Sequence, residues 1–223
     1  MLILLRHGQS SSNLNNLFTG WYDAKLTQEG KDQAYAAGRR LKAAGIHLDT
    51  VHTSLLSRAI QTTNIVLEAM DQLYLPLEKS WRLNGRHYGA LEGMNKDLAR
   101  KKFGPDQVHA WRRSYDVRPP EATDNELSDR YPFLDSTSLP QSESLKDTQA
   151  RLLPYLEDRV IPQIKQGENV LIVSHGNLLR ALTLVIEDLD PSQASQIEIA
   201  NALPIVYHFD QELQIKSKEI LNG

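Results

Sequence analysis

The sequence predicts an α/β domain with a mainly parallel sheet and helices on both faces. Short apolar runs alternate with longer stretches of helical period. The two strongest runs stop at the same His-Gly pair, and no internal repeat or low-complexity segment interrupts the pattern.

The first run, Leu2 to Leu5, reads as a short buried strand that stops at Arg6-His7-Gly8. Thr27 is placed to cap a helix with the stripe Ala34, Ala37, Leu41 and Ala44, closed by Gly45. Val51 to Thr53 is a second strand, and a helix from Ser57 carries Ile60, Val66, Leu67 and Met70. Ser144 and Asp147 form a capping box that opens a long helix with Leu145, Leu152, Leu156, Val160 and Ile164 on its apolar side. Pro154 and Pro162 should kink or split it. Gly167 precedes the strand Val170 to Val173, which ends at Ser174-His175-Gly176; a helix follows from Asn177, and Pro204 to Phe209 makes a last strand. The stretch 117–141 fits neither period and reads as a loop insertion near the site within a single domain spanning 1–223.

The 223 residues are 40% hydrophobic and 24% charged, enough for a sizeable core, and the net charge of −3 argues against a nucleic-acid-coating surface. Without cysteine there is neither a disulfide framework nor a thiolate metal site. The opening MLILLRHG is too short for a signal peptide, and no run approaches a membrane span, so the chain reads as soluble and cytoplasmic.

His7 and His175 occupy equivalent places, each after a strand and before a turn. In open α/β sheets ligands bind beyond the carboxyl ends of strands, so the two can meet across one cleft. A neutral imidazole attacks phosphorus, and a second, protonated one stabilises the charge that develops on the transferring group. Gly8 and Gly176 let backbone N–H groups approach a phosphate. A lone histidine at a strand end is more often structural; the matched pair, with Arg6, Asn13 and Asn177 at short range, favours chemistry. A metal site is the competing use, and neither histidine has a His-x-x-x-His or carboxylate companion. His47, His52, His109 and His208 read as surface or packing residues.

Seven cations stand out: Arg6, Arg58, Arg82, Arg86, Lys96, Arg112 and Arg113. Arginine forks suit phosphate and carboxylate, and with no basic stripe interleaved with aromatics, a small polyanion fits better than nucleic acid. Trp21, Trp81 and Trp111 read as core or pocket-wall residues.

Together the segments "LLRHGQSSSN", "FTGWYDAKLTQEG", "TSLLSRAIQT", "WRLNGRHYGALEG", "WRRSYDV", "LPQSESLKDT", "VSHGNLLRA" and "LPIVYHF" resemble the cofactor-dependent phosphoglycerate mutases of the histidine phosphatase superfamily. The resemblance implies that His7 is the phosphorylated nucleophile and His175 its electrostatic partner. It implies that Arg6, Asn13, Arg58 and the Gly176 backbone hold the phosphoryl group. Thr19, Gly20, Arg86, Tyr88, Lys96, Arg112, Arg113 and Asn177 match positions that bind the rest of a phosphoglycerate, and Gly8, Gln9, Ser10 and His87 fall in the same binding set. It also implies priming by 2,3-bisphosphoglycerate, no metal, phosphoglycerates as ligands and a homodimer.

Four departures from the family pattern stand out. Ser11-Ser12 replaces Glu-Trp, a change expected in the pocket wall, and Asn201-Ala202 replaces Thr-Gly near the cleft. The sequence ends soon after its last strand, where the family often carries a tail over the site. Gly85 stands where the pattern Glu-Arg-His-Tyr has its general acid/base, a function worth roughly 10²–10⁴-fold in rate. Glu92, the nearest acidic residue along the chain, reads as a surface or loop carboxylate, and a water in the space of the missing side chain is the other substitute. The leading reading is therefore a mutase with activity reduced by Gly85. The alternatives are a phosphomonoesterase of the same superfamily and a pseudoenzyme that binds phosphorylated metabolites.

Overall fold

The computed structural model describes residues 1–123 and 131–222. Its centre is a six-stranded sheet: β1 (Leu2–Arg6), β2 (Thr50–Thr53), β3 (Leu77–Lys79), β4 (Val170–Ser174), β5 (Ile205–Phe209) and β6 (Ile215–Ile220), in the order β3-β2-β4-β1-β5-β6. The first four in that order run parallel, and β5 and β6 add an antiparallel ribbon beside β1. This is the α/β, mainly parallel sheet that the alternating runs predict.

Successive strand residues point to opposite faces, and both faces are apolar because both are covered. Leu2, Leu4, Val170 and Ile172 pack with Leu152, Leu156, Leu178 and Leu182 on one side. Ile3, Leu5, Leu171 and Val173 pack with Ala34, Ala37, Leu41, Val66 and Leu67 on the other. The second face holds α2 (Gln28–Ala43) and α3 (Ser57–Ala69); the first holds α6 (Leu145–Tyr155) and α8 (Gly176–Ile186). Thr27 caps α2 as expected, its hydroxyl accepting from the Gly30 amide at 3.0 Å. Ala44 lies past the last turn and is exposed, so it drops out of the expected stripe.

The capping box forms: Ser144 Oγ accepts from the Asp147 amide at 3.1 Å, and Asp147 accepts from the Ser144 amide at 2.9 Å. The long helix then divides between its prolines. A π turn at Leu156–Val160 joins α6 to α7 (Ile161–Lys165), where prolines that cannot donate a helical bond loosen the ladder.

Three helices have no counterpart in the sequence reading: the short α1 (Ser11–Leu14), α4 (Lys96–Phe103) and α5 (Pro105–Arg113). The last two pack Ala99, Val108 and Trp111 against Phe18 and Leu91, and so carry Lys96, Arg112 and Arg113 to one place. In the expected insertion 117–141, residues 124–130 lie outside the described residues. Its described ends rest on the domain: the Ala90 amide donates to Pro120 O, and Tyr131 and Leu139 pack against Trp21. No helix among the described residues is long and apolar enough to cross a membrane.

Candidate active site

The parallel pairing of β1 with β4 sets Arg6 opposite Ser174, so the residues that follow, His7 and His175, leave the sheet side by side. Their rings lie 5.0 Å apart, tilted by 57°. The turn after β1 is sterically determined. A Cβ on Gly8 would stand 2.1 Å from the Gly30 carbonyl oxygen, so only glycine lets this turn pass the start of α2.

His7 Nδ1 lies 2.6 Å from the Gly8 carbonyl, which can only accept. The ring proton is therefore on Nδ1, and the lone pair on Nε2, where Arg58 Nε donates at 3.3 Å. Burial first, then the Arg58 and Arg6 charges, hold His7 well below its ordinary pKa, so it is neutral and nucleophilic at pH 7. His175 is depressed in the same way, by burial first and then by Arg58 and His7. Ser54 Oγ accepts from the Leu56 amide and lies 2.8 Å from His175 Nε2. Assigned as donor to that nitrogen, the hydroxyl leaves the ring proton on Nδ1, a buried atom with no partner among the described residues.

The two rings open on a cavity of about 230 Å³ lined by Arg6, His7, Asn13, Leu17, Thr19, Gly20, Arg58, Gly85, Arg86, Tyr88, Lys96, Arg112, Arg113, His175, Gly176, Asn177, Arg180 and Ile199. Seven of these residues are cationic, and none is a carboxylate. α8 begins in this wall at Gly176, so its amide end adds positive potential. Arg58 donates to the carbonyls of Gly20 and Tyr22 at 2.8 and 2.9 Å, and burial lowers its pKa to about 10. Besides His175 Nδ1, the buried Nε atoms of Arg6 and Arg86 have no partner among the described residues. Buried donors without acceptors among seven cations suit a ligand rich in anionic oxygens.

Several expected residues lie elsewhere. The Gly8 amide donates to Thr62 Oγ1 at 3.1 Å rather than toward the cavity. The Gln9 amide bonds Gln33, and Ser10 caps α1 by accepting from Asn13. His87 stands behind the wall, its Nδ1 accepting from the Gly89 amide at 2.9 Å, with burial and then Arg151 lowering its pKa to about 4. Ser11 is exposed, Ser12 is buried, and neither touches the cavity. Arg82 leaves the cationic set, donating instead to Arg151 O at 2.9 Å.

Arg180 takes its place. It stands three residues after Asn177 in "VSHGNLLRA", the helical spacing that could have revealed it, and burial lowers its pKa to about 10. Asn201 backs His7: its Nδ2 donates to the His7 carbonyl at 2.7 Å, while the Ala202 amide donates to that of Arg6.

Gly85 lies in the cavity wall, and its φ is outside the left-handed range. Its backbone is fixed from behind. The Gly85 carbonyl accepts from Trp21 Nε1 at 2.7 Å and Arg151 Nη2 at 2.9 Å; Arg151 also bonds the carbonyls of Arg82 and Asn84. Glu143 completes the clamp, pairing with Arg151 at 2.5 Å and accepting from the His87 amide at 2.8 Å.

Glu92 is not a surface carboxylate. It is mostly buried and accepts from the amides of Trp21, Tyr22 and Tyr88 at 2.9–3.0 Å. Burial lifts its pKa to about 7 against the pull of those three bonds. Its Oε1 lies 3.3 Å from His87 Nδ1, but that nitrogen is an acceptor on a neutral ring, so the contact is not an ion pair.

These groups set an acid limit on stability. His7, His52, His87 and His175 are all depressed from 6.5, so the unfolded chain takes up their protons first as the pH falls. Glu92, raised from 4.5 to about 7, works in the opposite direction over nearly the same range. With four groups against one, stability should fall as the pH drops below about 6.5. A urea midpoint that stays level below that pH would show that the rings ionise inside the fold.

The family model of the histidine phosphatase superfamily (branch 1) matches residues 2–217. The chain is 50% identical to the 2,3-bisphosphoglycerate-dependent phosphoglycerate mutase of Staphylococcus saprophyticus, with 99% of each chain covered. It is 49% identical to the enzyme of that name in Streptococcus agalactiae, covering 99% of this chain and 98% of the other. Among solved structures, Bacillus stearothermophilus YhfR superposes with a TM-score of 0.74 at 25% identity, over 96% of this chain and 93% of that one. A mycobacterial glucosyl-3-phosphoglycerate phosphatase shares the fold at a TM-score of 0.74 and 24% identity, over 98% and 96%. The chain belongs to branch 1 of the histidine phosphatase superfamily and, within it, to the family of the 2,3-bisphosphoglycerate-dependent phosphoglycerate mutases.

Proposed function

We propose that this protein interconverts 3-phosphoglycerate and 2-phosphoglycerate through a phosphohistidine at His7. The observation that carries the reading is the pair of neutral histidines, 5.0 Å apart, in a cavity whose described lining holds seven cations and no carboxylate. His7 Nε2 is the nucleophile, aligned by the Gly8 carbonyl behind it and backed by Asn201. His175 Nδ1, Arg58 and Arg6 Nε face the phosphoryl oxygens and stabilise charge as it builds there. A bound phosphate dianion favours protonation of His175, reversing the depression caused by burial and neighbouring arginines. Arg86, Lys96, Arg112, Arg113 and Arg180 hold the carboxylate and the second phosphate.

The unpartnered donors and the excess of cations fit 2,3-bisphosphoglycerate, with Arg6, Arg58 and the arginines of α5 as its holders. When bound, it supplies the phosphoryl group that primes His7. A homodimer belongs to the same reading, supported by the exposed Leu73 and Tyr74 beside the edge strand β3.

One observation favours phosphomonoesterase chemistry: Gly85 puts no side chain beside His175, which leaves room for water. Incubation with 3-phosphoglycerate and 2,3-bisphosphoglycerate distinguishes the readings. Formation of 2-phosphoglycerate is expected. Free phosphate alone would make the protein a phosphatase; neither product, with ligand bound, would make it a binding protein.

A further inference from the structure

Tyr88 has a hydroxyl whose two hydrogen bonds within the protein are both received. Arg86 Nη2 donates to it at 2.8 Å and Asn177 Nδ2 at 2.9 Å. Neither partner can accept in return. A guanidinium has no acceptor, and the Asn177 amide is oriented by its Oδ1, which takes a bond from Arg180 Nη1 at 2.9 Å. With both lone pairs engaged, the phenol's own proton has no acceptor among the described residues, and Tyr88 stands in the cavity wall.

We propose that Tyr88 is the general acid and base of the mutase reaction in this chain, exchanging a proton with the substrate oxygen that gains or loses the phosphoryl group. The inference rests on the mutase reading above. The other lining groups are committed or unsuited. Among the described residues no carboxylate lines the cavity, and Glu92, outside the lining, spends its oxygens on three amides. His7 is the nucleophile, with its proton on the Gly8 carbonyl. His175 faces the phosphoryl group.

The surroundings match the task. Burial alone would raise the phenol, but Arg86, Asn177 and Arg112 outweigh it and bring Tyr88 down to about 8, close to working pH. The Arg86 guanidinium lies 4.6 Å from the centre of the Tyr88 ring, and the Phe18 ring packs edge-on at 4.9 Å. Arg6, Lys96 and Arg180 add their fields, and the Glu92 carboxyl accepts from the Tyr88 amide on the far side.

The steps balance. When His7 gives up its group, the Nε2–P bond breaks, an O–P bond forms at the receiving hydroxyl, and that hydroxyl's proton passes to the Tyr88 phenolate. On return, Nε2 attacks phosphorus, the P–O bond breaks with its electron pair on oxygen, and the Tyr88 hydroxyl protonates that oxygen. One phenolate is consumed and one regenerated per cycle.

Three variants test this in the full-length protein with 3-phosphoglycerate and 2,3-bisphosphoglycerate: Tyr88→Phe, Lys96→Met and 3-fluorotyrosine at position 88. Tyr88→Phe, which keeps the ring against Phe18, should lower kcat by on the order of 10²-fold or more, shift KM only a few-fold and remove the limb of the kcat–pH profile near pH 8. The more acidic fluorophenol should move that limb to lower pH, and its fluorine resonance should titrate with it. Lys96→Met should raise KM and leave the limb in place. A Tyr88→Phe protein that loses affinity but keeps kcat, or a limb that ignores the fluorine, overturns the inference alone. No 2-phosphoglycerate from the unaltered protein overturns the mutase reading and the inference together.

Discussion

Replacing His7 with alanine should remove phosphoryl transfer, with turnover falling by on the order of 10⁴–10⁶-fold, the expectation if the proposed covalent nucleophile is lost. The ring is buried at the end of β1, and its Nε2 is the only atom on it free to attack. Labelled 2,3-bisphosphoglycerate should leave acid-labile, base-stable phosphate on the unaltered protein and none on His7→Ala. The fold should survive, because Arg58 remains anchored to the Gly20 and Tyr22 carbonyls and Asn201 still holds the backbone. A folded variant that still takes label would move the nucleophile elsewhere, with His175 the next candidate.

Gly85→Glu carries the second large expected effect, a rise in mutase kcat of up to ~10²–10⁴-fold. The backbone permits it, since Gly85 has no left-handed φ to lose. Space is tighter: the new Cβ would stand 3.2 and 3.3 Å from His175 Cγ and Cβ, so the imidazole must give by a few tenths of an ångström. The loop itself should not shift, being held by Trp21, Arg151 and Glu143. Affinity for phosphoglycerate should weaken slightly, because a carboxylate enters a site built for anions. In this background Tyr88→Phe should cost far less than in the parent, because the glutamate would share the proton transfer. A circular-dichroism melt separates misfolding from chemistry. A well-folded Gly85→Glu protein with no gain would show that the family's acid has no role to resume here.

The parts of the fold that the sequence disclosed are those whose burial is complete. β1 and β4 are continuous apolar runs because helices cover both faces, and α2 and α6 announce themselves through Thr27 and Ser144. β6 escapes because it is an edge strand with all six residues exposed, so IKSKEI reads as polar chain. α4 and α5 escape because they bury only Ala99, Val108 and Trp111 and carry charge elsewhere.

At the site, the motif positions converge because strand ends and helix starts converge, but sequence proximity is a poor guide to which side chains face inward. Gly8, Gln9 and Ser10 adjoin the nucleophile and point away from the cavity, whereas Arg180, far along the chain, points in. Glu92 misled for the opposite reason. A carboxylate in a glycine-flanked turn looks solvated, and only the folded chain shows three amides converging on it.

The place of β4 between β1 and β2 has a consequence for how the molecule comes into being. Until residues 170–174 have been synthesised, β1 and β2 have no strand to bridge them, and each exposes an unsatisfied apolar edge. A nascent chain that already carries His7, Arg58, Arg86 and Arg113 therefore cannot bring them to one place. Closing the sheet depends on a contact of very long sequence separation, which slows folding and leaves sticky intermediates in the meantime. His175 follows β4 by one residue, so the strand that bridges β1 and β2 also delivers the second imidazole. The paired imidazoles and the closed parallel core thus arrive in one step, and a shorter nascent chain holds no half-built pair able to trap a phosphorylated metabolite.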